Sequence, residues 1–137
     1  MVPQTIAVVN NDLVLLDLLQ ELLIEAGYAT TTYLTTDQTY QQLRDSQPSL
    51  IILDVGLQAS APGWPLLKLL HFDPNTMQIP VLVTTVDHTF IQGKQTFLQA
   101  AGCDVLELPA SFTDLVAKVE ALIGAPLARS LPAIKPG

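Results

Sequence analysis

The chain has 137 residues, 49% of them apolar and only 14% charged, which suits one domain with a sizeable core and excludes a disordered chain. Thirteen acids against six bases give a net charge of −7, the wrong sign for a surface that binds nucleic acid. The single Cys103 rules out an internal disulfide and fits a reducing cytosol, so the expected location is cytoplasmic.

Thr5–Val9 reads as a short β-branched strand. Asp12 is placed to cap a helix over Leu13–Ala26, which Gly27 stops. This is the richest apolar stretch, but Asp17, Gln20 and Glu21 interrupt it and it is too short to span a bilayer. No basic region precedes it, so neither a signal peptide nor a membrane partner is expected. Leu15, Leu18, Leu19, Leu22 and Leu23 are expected to form its buried stripe. Leu13, Val14, Leu16 and Ile24 extend beyond that face and are expected to be available to another molecule.

Tyr28–Tyr33 reads as a second strand, and Thr36–Ser46 as a helix with Asp37 early and Arg44 late, as the helix dipole favours. Pro48 breaks it, and the strand Leu50–Asp54 follows. Gly56–Gly63 is a loop of small residues, Trp64–Phe72 a short helix with Pro65 in its first turn, and Asp73-Pro74-Asn75 a turn. Pro80 opens the strand Val81–Thr85. Phe90–Ala101 is expected to be helical, weakened by Gly93 and ended by Gly102. Val105–Leu106 is a short strand, and Ser111 caps a last helix through Ile123 with the stripe Leu115, Val116, Val119, Leu122 and Ile123. Alternating strands and helices imply a parallel sheet with helices on both faces and right-handed crossovers. One domain is expected over residues 1–124, followed by a proline-containing tail or linker at 125–137.

Asp54 closes an otherwise apolar strand. A carboxylate at the C-terminal edge of a buried parallel strand lies where open α/β sheets bind ligands. Other polar residues have plain readings: His71 and His88 lack carboxylate or Cys partners at ligand spacing, and Cys103 lies in a turn without an acid-base partner. Trp64 is expected to cover the core.

Val8-Val9-Asn10-Asn11-Asp12, Leu50–Asp54, Ile79-Pro80-Val81-Leu82-Val83-Thr84-Thr85 and Ala101-Gly102-Cys103-Asp104-Val105-Leu106-Glu107-Leu108-Pro109 stand in an order and spacing that resembles the receiver domain of two-component response regulators. The resemblance spans Thr5–Ile123 and implies a CheY-like, flavodoxin-like (βα)5 fold, a doubly wound sheet of five parallel strands in the order 2-1-3-4-5. It makes Asp54 the match of the phosphoacceptor and Thr85 the match of the switch hydroxyl.

Several matches are departures. Receivers hold Mg²⁺ on an acid pair after strand one, on the acceptor, and on a backbone carbonyl that would here belong to Gly56. The pair positions hold Asn10 and Asn11. Asparagine offers oxygen without charge, and Mg²⁺ prefers carboxylates, so the implied metal site is weak or lost. Asp12, one position late, is either a helix cap or a substitute ligand. Leu108 stands where the family has lysine and cannot hydrogen-bond a phosphoryl oxygen. Gln58 and Pro62 occupy the usual proline and glycine offsets after the acceptor, and Pro62-Gly63 is the nearest match, one residue late. Val86 follows Thr85 where a small residue is usual and would narrow access to Asp54, and Val105 replaces the aromatic switch.

The favoured reading is a degenerate receiver in phosphorelay signal transduction, not an enzyme, acting through contacts with a histidine kinase or output protein. One alternative is a phosphorylatable receiver that takes phosphate from a histidine kinase on Asp54. A second alternative is a flavodoxin-like small-ligand-binding domain, which would need a phosphate-cradling loop that no strand–helix turn here supplies. By the same resemblance, helix four, strand five and helix five form the face for partner docking or a homodimer, with Phe90, Ile91 and Phe97 available.

Overall fold

A computed structural model describes residues 4–55, 63–86, 89, 92–108 and 110–126. Its strands are β1 Thr5–Val9, β2 Ala29–Tyr33, β3 Leu50–Asp54, β4 Val81–Thr85 and β5 Asp104–Glu107. All pair in parallel, in the order β2-β1-β3-β4-β5. The helices are α1 Leu13–Glu25, α2 Thr39–Ser46, α3 Gly63–Phe72, α4 Gln95–Ala100 and α5 Phe112–Ile123.

Strand alternation divides the apolar residues between two cores. Ile6, Val8, Leu50, Ile52 and Leu82 meet α1 and α5, through Leu16, Leu19, Leu23, Leu115 and Val119. Ala7, Val9, Ile51, Leu53, Val81 and Val83 meet α2, α3 and α4, through Leu43, Trp64, Leu67, Leu70 and Leu98. Trp64 is buried, with its ring centroid 5.6 Å from that of Phe97. Near-continuous apolar strands are what a sheet covered on both faces requires.

The expected caps form. Asp12 Oδ1 accepts from the amides of Val14 and Leu15 at 3.0 and 3.2 Å, and Ser111 Oγ accepts from Asp114 N at 3.0 Å. Each satisfies amides that the first helical turn leaves open.

Three expectations are corrected. Leu16 is only 3% exposed and belongs to the core, whereas Leu18 is 49% exposed. The buried residues of α1 are Leu16, Leu19 and Leu23, so the helix is rotated relative to the expected stripe. Helix α2 starts at Thr39, not Thr36. Thr36 Oγ1 accepts from Gln38 N, while Thr39 Oγ1 accepts from Thr36 N and donates to Leu34 O. Those side-chain bonds hold a turn that competes with helix. On the expected helix Phe90–Ala101, the unbroken segment begins at Gln95, after a turn at Gly93 and Lys94, in keeping with the low helix propensity of glycine. Phe90 and Ile91, with the tail beyond Pro126, lie outside the described residues.

Candidate functional site

Parallel strands deliver all their C-terminal ends to one edge. The register pairs Val9 with Leu53, Asp54 with Thr84, and Thr85 with Glu107. The β4–β5 ladder continues one step further, with Leu108 N donating to Thr85 O at 2.8 Å. Topology therefore gathers Asn10, Asp54, Thr85 and Leu108 at one edge, although they are scattered in sequence. Asp54 is partly buried there and Thr85 is fully buried.

The side-chain oxygens after β1 already accept from backbone amides. Asn10 is 4% exposed, and its Oδ1 accepts from Asp12 N at 2.9 Å. Asn11 Oδ1 accepts from Thr35 N at 3.1 Å and ties the loop to the end of β2. Asp12 uses its carboxylate on α1. Among the described residues, no group of three or more His, Cys, Asp or Glu side chains could hold a metal ion. Among the described residues, the side-chain oxygens after β1 come from two uncharged amides and one capping carboxylate, a weak donor set for Mg²⁺, a hard cation that sheds water reluctantly and favours charged oxygens. Gly56, whose carbonyl the resemblance also assigns to the metal, and His88 and Pro109 lie outside the described residues.

Leu108, which the resemblance sets at a lysine position, has a side chain with no charge and no hydrogen-bond donor. It is half-buried and packs against the core shared by α1 and α5. Val86 is 54% exposed. Val105 packs against the opposite core.

Gly63 has a role that spacing only partly revealed. It opens α3 directly against the main chain of Asp54 and Val55, and an added Cβ would overlap the Asp54 carbonyl oxygen and lie 2.9 Å from Val55 Cα. Its signal in the sequence was its offset from Asp54. Thr35, which fixes Asn11, left no sequence signal at all.

His71 packs edge-on to Phe97 and beside Phe72, at centroid distances of 5.8 and 4.9 Å. Burial pushes the Cys103 thiol up to about 11, which keeps it protonated and unreactive at neutral pH. No helix among the described residues is long and apolar enough to cross a membrane.

Comparison with known proteins agrees with this geometry. The family described as "Response regulator receiver domain" matches residues 6–120. The phosphate regulon transcriptional regulatory protein PhoB of Pseudomonas aeruginosa is 29% identical over 126 residues, covering 90% of this chain and 53% of PhoB. The chain thus spans about half the length of that relative. A Chloroflexus aurantiacus protein described as a response regulator superposes with a TM-score of 0.75 at 28% identity, covering 89% of this chain and 98% of the other. The receiver domain of sensor histidine kinase PA1611 from Pseudomonas aeruginosa, whose structure has magnesium in its active-site cleft, superposes at 0.74 with 20% identity, covering 90% of this chain and all of its own. With its family match across most of the domain and its strands in the order 2-1-3-4-5, the chain belongs to the response regulator receiver domain family of two-component signalling.

Proposed function

We propose that this receiver is a degenerate one, a cytoplasmic signalling module that works through contacts with a histidine kinase or an output protein and not through ordinary phosphorylation of Asp54. The observation that carries this reading is the placement of the charge-bearing positions. The Asn10 and Asn11 oxygens face amides at 2.9 and 3.1 Å, and Leu108 packs into the core where the family has lysine. Phosphoryl transfer to a carboxylate depends on neutralising the developing charge. Here neither a carboxylate pair for a metal nor the lysine is available to do so. The reading assigns the chain no reaction of its own, a weak Mg²⁺ site at most, and no nucleic-acid contact.

Retention of Asp54 and buried Thr85 at the family positions favours the second reading, a phosphorylatable receiver. Amide NMR with Mg²⁺, then with Mg²⁺ and beryllofluoride as a phosphoryl mimic, separates the two. The expected result is an unchanged spectrum around Asp54, Thr85 and Asn10–Asp12. Shifts centred on those residues would overturn the degenerate reading.

A further inference from the structure

Strand β2 ends the sheet, and nothing in its sequence blunts that edge. An edge strand offers unpaired N–H and C=O groups to another strand, and proteins usually guard it with lysine, proline or a bulge. Ala29-Thr30-Thr31-Thr32-Tyr33 has no charge and no proline, and it pairs with β1 residue for residue, without a bulge. None of its residues is buried, whereas all of β4 is. The Tyr33 carbonyl turns toward β1, where it accepts from Asn10 N at 3.1 Å. By alternation the main-chain groups of Thr30 and Thr32 point away from β1. The bond to Thr30 O agrees, because its donor is the Gln20 side chain of α1, with Nε2 at 3.2 Å.

Gln20 thereby marks which flank of α1 overhangs the edge. Leu13 and Asp17 stand seven and three positions before it and Ile24 four after, so they share that flank. Leu13 is 61% exposed and Ile24 54%. The strip reads apolar, polar, polar, apolar at intervals of four, three and four, the same in either direction. Glu21 and Glu25 each follow a strip residue by one position, about 100° round the helix, and fall off the strip. Its only charge is therefore Asp17.

A strip and a strand that read the same both ways match their own copy. We propose that two copies of this chain join through β2, antiparallel, about a two-fold axis at Thr31. Thr30 and Thr32 of each copy then exchange main-chain bonds with Thr32 and Thr30 of the other. Thr30 O keeps its Gln20 bond, because a carbonyl accepts two. The axis stands perpendicular to the sheet and sets both α1 helices on one face, antiparallel, in an isologous contact. Leu13 meets Ile24 of the other copy at each end. Between them the Asp17 carboxylate meets the other copy's Gln20 amide, which has a second N–H to donate, so the charge faces a donor. Helix and strand share this axis. The strip's midpoint lies about 2 Å along α1 from Gln20 toward Asp17. Helix α1 runs against β2, where about 3.3 Å is one residue, so the midpoint falls beside Thr31 when Gln20 is at Thr30. The proposal goes beyond the protein-contact reading and does not depend on whether Asp54 accepts phosphate.

The test is sedimentation of the full chain at about 100 μM, enough to populate a dimer of micromolar Kd, with amide hydrogen exchange read by NMR. The wild type is expected to be a dimer with slow exchange at Thr30 and Thr32. Association should strengthen with salt, because each copy carries −7. Thr31→Lys and Thr31→Glu, at an exposed position on the axis, should each weaken it at least about tenfold through like charge, and their mixture should restore it. Leu13→Lys and Ile24→Glu should each weaken it and, combined in one chain, recover it. Should a Thr31 variant fail to fold, the Leu13 and Ile24 variants decide. A monomeric wild type would overturn the proposal, and slow exchange at Thr30 and Thr32 in that monomer would give the edge to the chain's own residues. A dimer that Thr31→Lys leaves intact, a mixture no tighter than either variant alone, or protection confined to α4, β5 and α5 would overturn it too.

Discussion

Gly63 and Asp54 are in main-chain contact: the first residue of α3 lies so close to the end of β3 that a Cβ on residue 63 would overlap the Asp54 carbonyl oxygen. The obstacle is backbone, which cannot swing aside as a side chain can. Gly63→Ala is therefore expected to cost about 3 kcal/mol, the range of forced overpacking, or to prevent folding. Urea unfolding measures it. Wild-type stability would mean that α3 can retreat from the Asp54 main chain without loss.

If the degenerate reading holds, phosphoryl chemistry should require added charge at more than one position. Asn11→Asp supplies a carboxylate whose oxygen can still accept from Thr35 N, but it leaves Leu108 apolar. The single variant is expected to remain silent to Mg²⁺ and beryllofluoride, and Asn11→Asp with Leu108→Lys to respond. Tight Mg²⁺ dependence and phosphorylation in the single variant would show that the lysine is dispensable here.

The junction after α3 is pH-sensitive in a defined direction. The Tyr40 hydroxyl donates to Asp73 Oδ2, Asn75 N donates to Asp73 Oδ1 at 3.0 Å, and Arg44 lies beside them. The Tyr40 bond first, then the Asn75 bond, hold the Asp73 carboxyl below its usual range. Because its folded value is depressed, the stabilisation is present above the unfolded value, near pH 4, and is lost as pH falls through the folded value. Tyr40→Phe should move the Asp73 titration upward in carbonyl NMR and flatten the acid limb of melting temperature against pH. An unchanged Asp73 titration would remove the phenol as its cause.

Much of this fold was legible locally. β1, β3 and β4 have the bounds their apolar and β-branched runs predicted, and Asp12 and Ser111 cap the helices their positions announced. Neighbouring residues carry such signals, because a strand's apolar run and a helix's first open amides are properties of a few consecutive positions. The candidate site was legible as a list of family positions, with its missing charges.

Tertiary structure decided the rest. The rotation of α1, which buries Leu16 and leaves Leu18 half in water, depends on where β1, β3 and α5 stand, because a helix whose apolar residues extend beyond one face does not by itself choose which of them to bury. The direction of the Asn11 oxygen depends on Thr35, twenty-four residues away in sequence. Sequence alone thus determined the alternation, the caps and the loss of charge at Asn10, Asn11 and Leu108. The assembled sheet decided which atoms those residues face, because that is set by contacts between segments that no local pattern encodes.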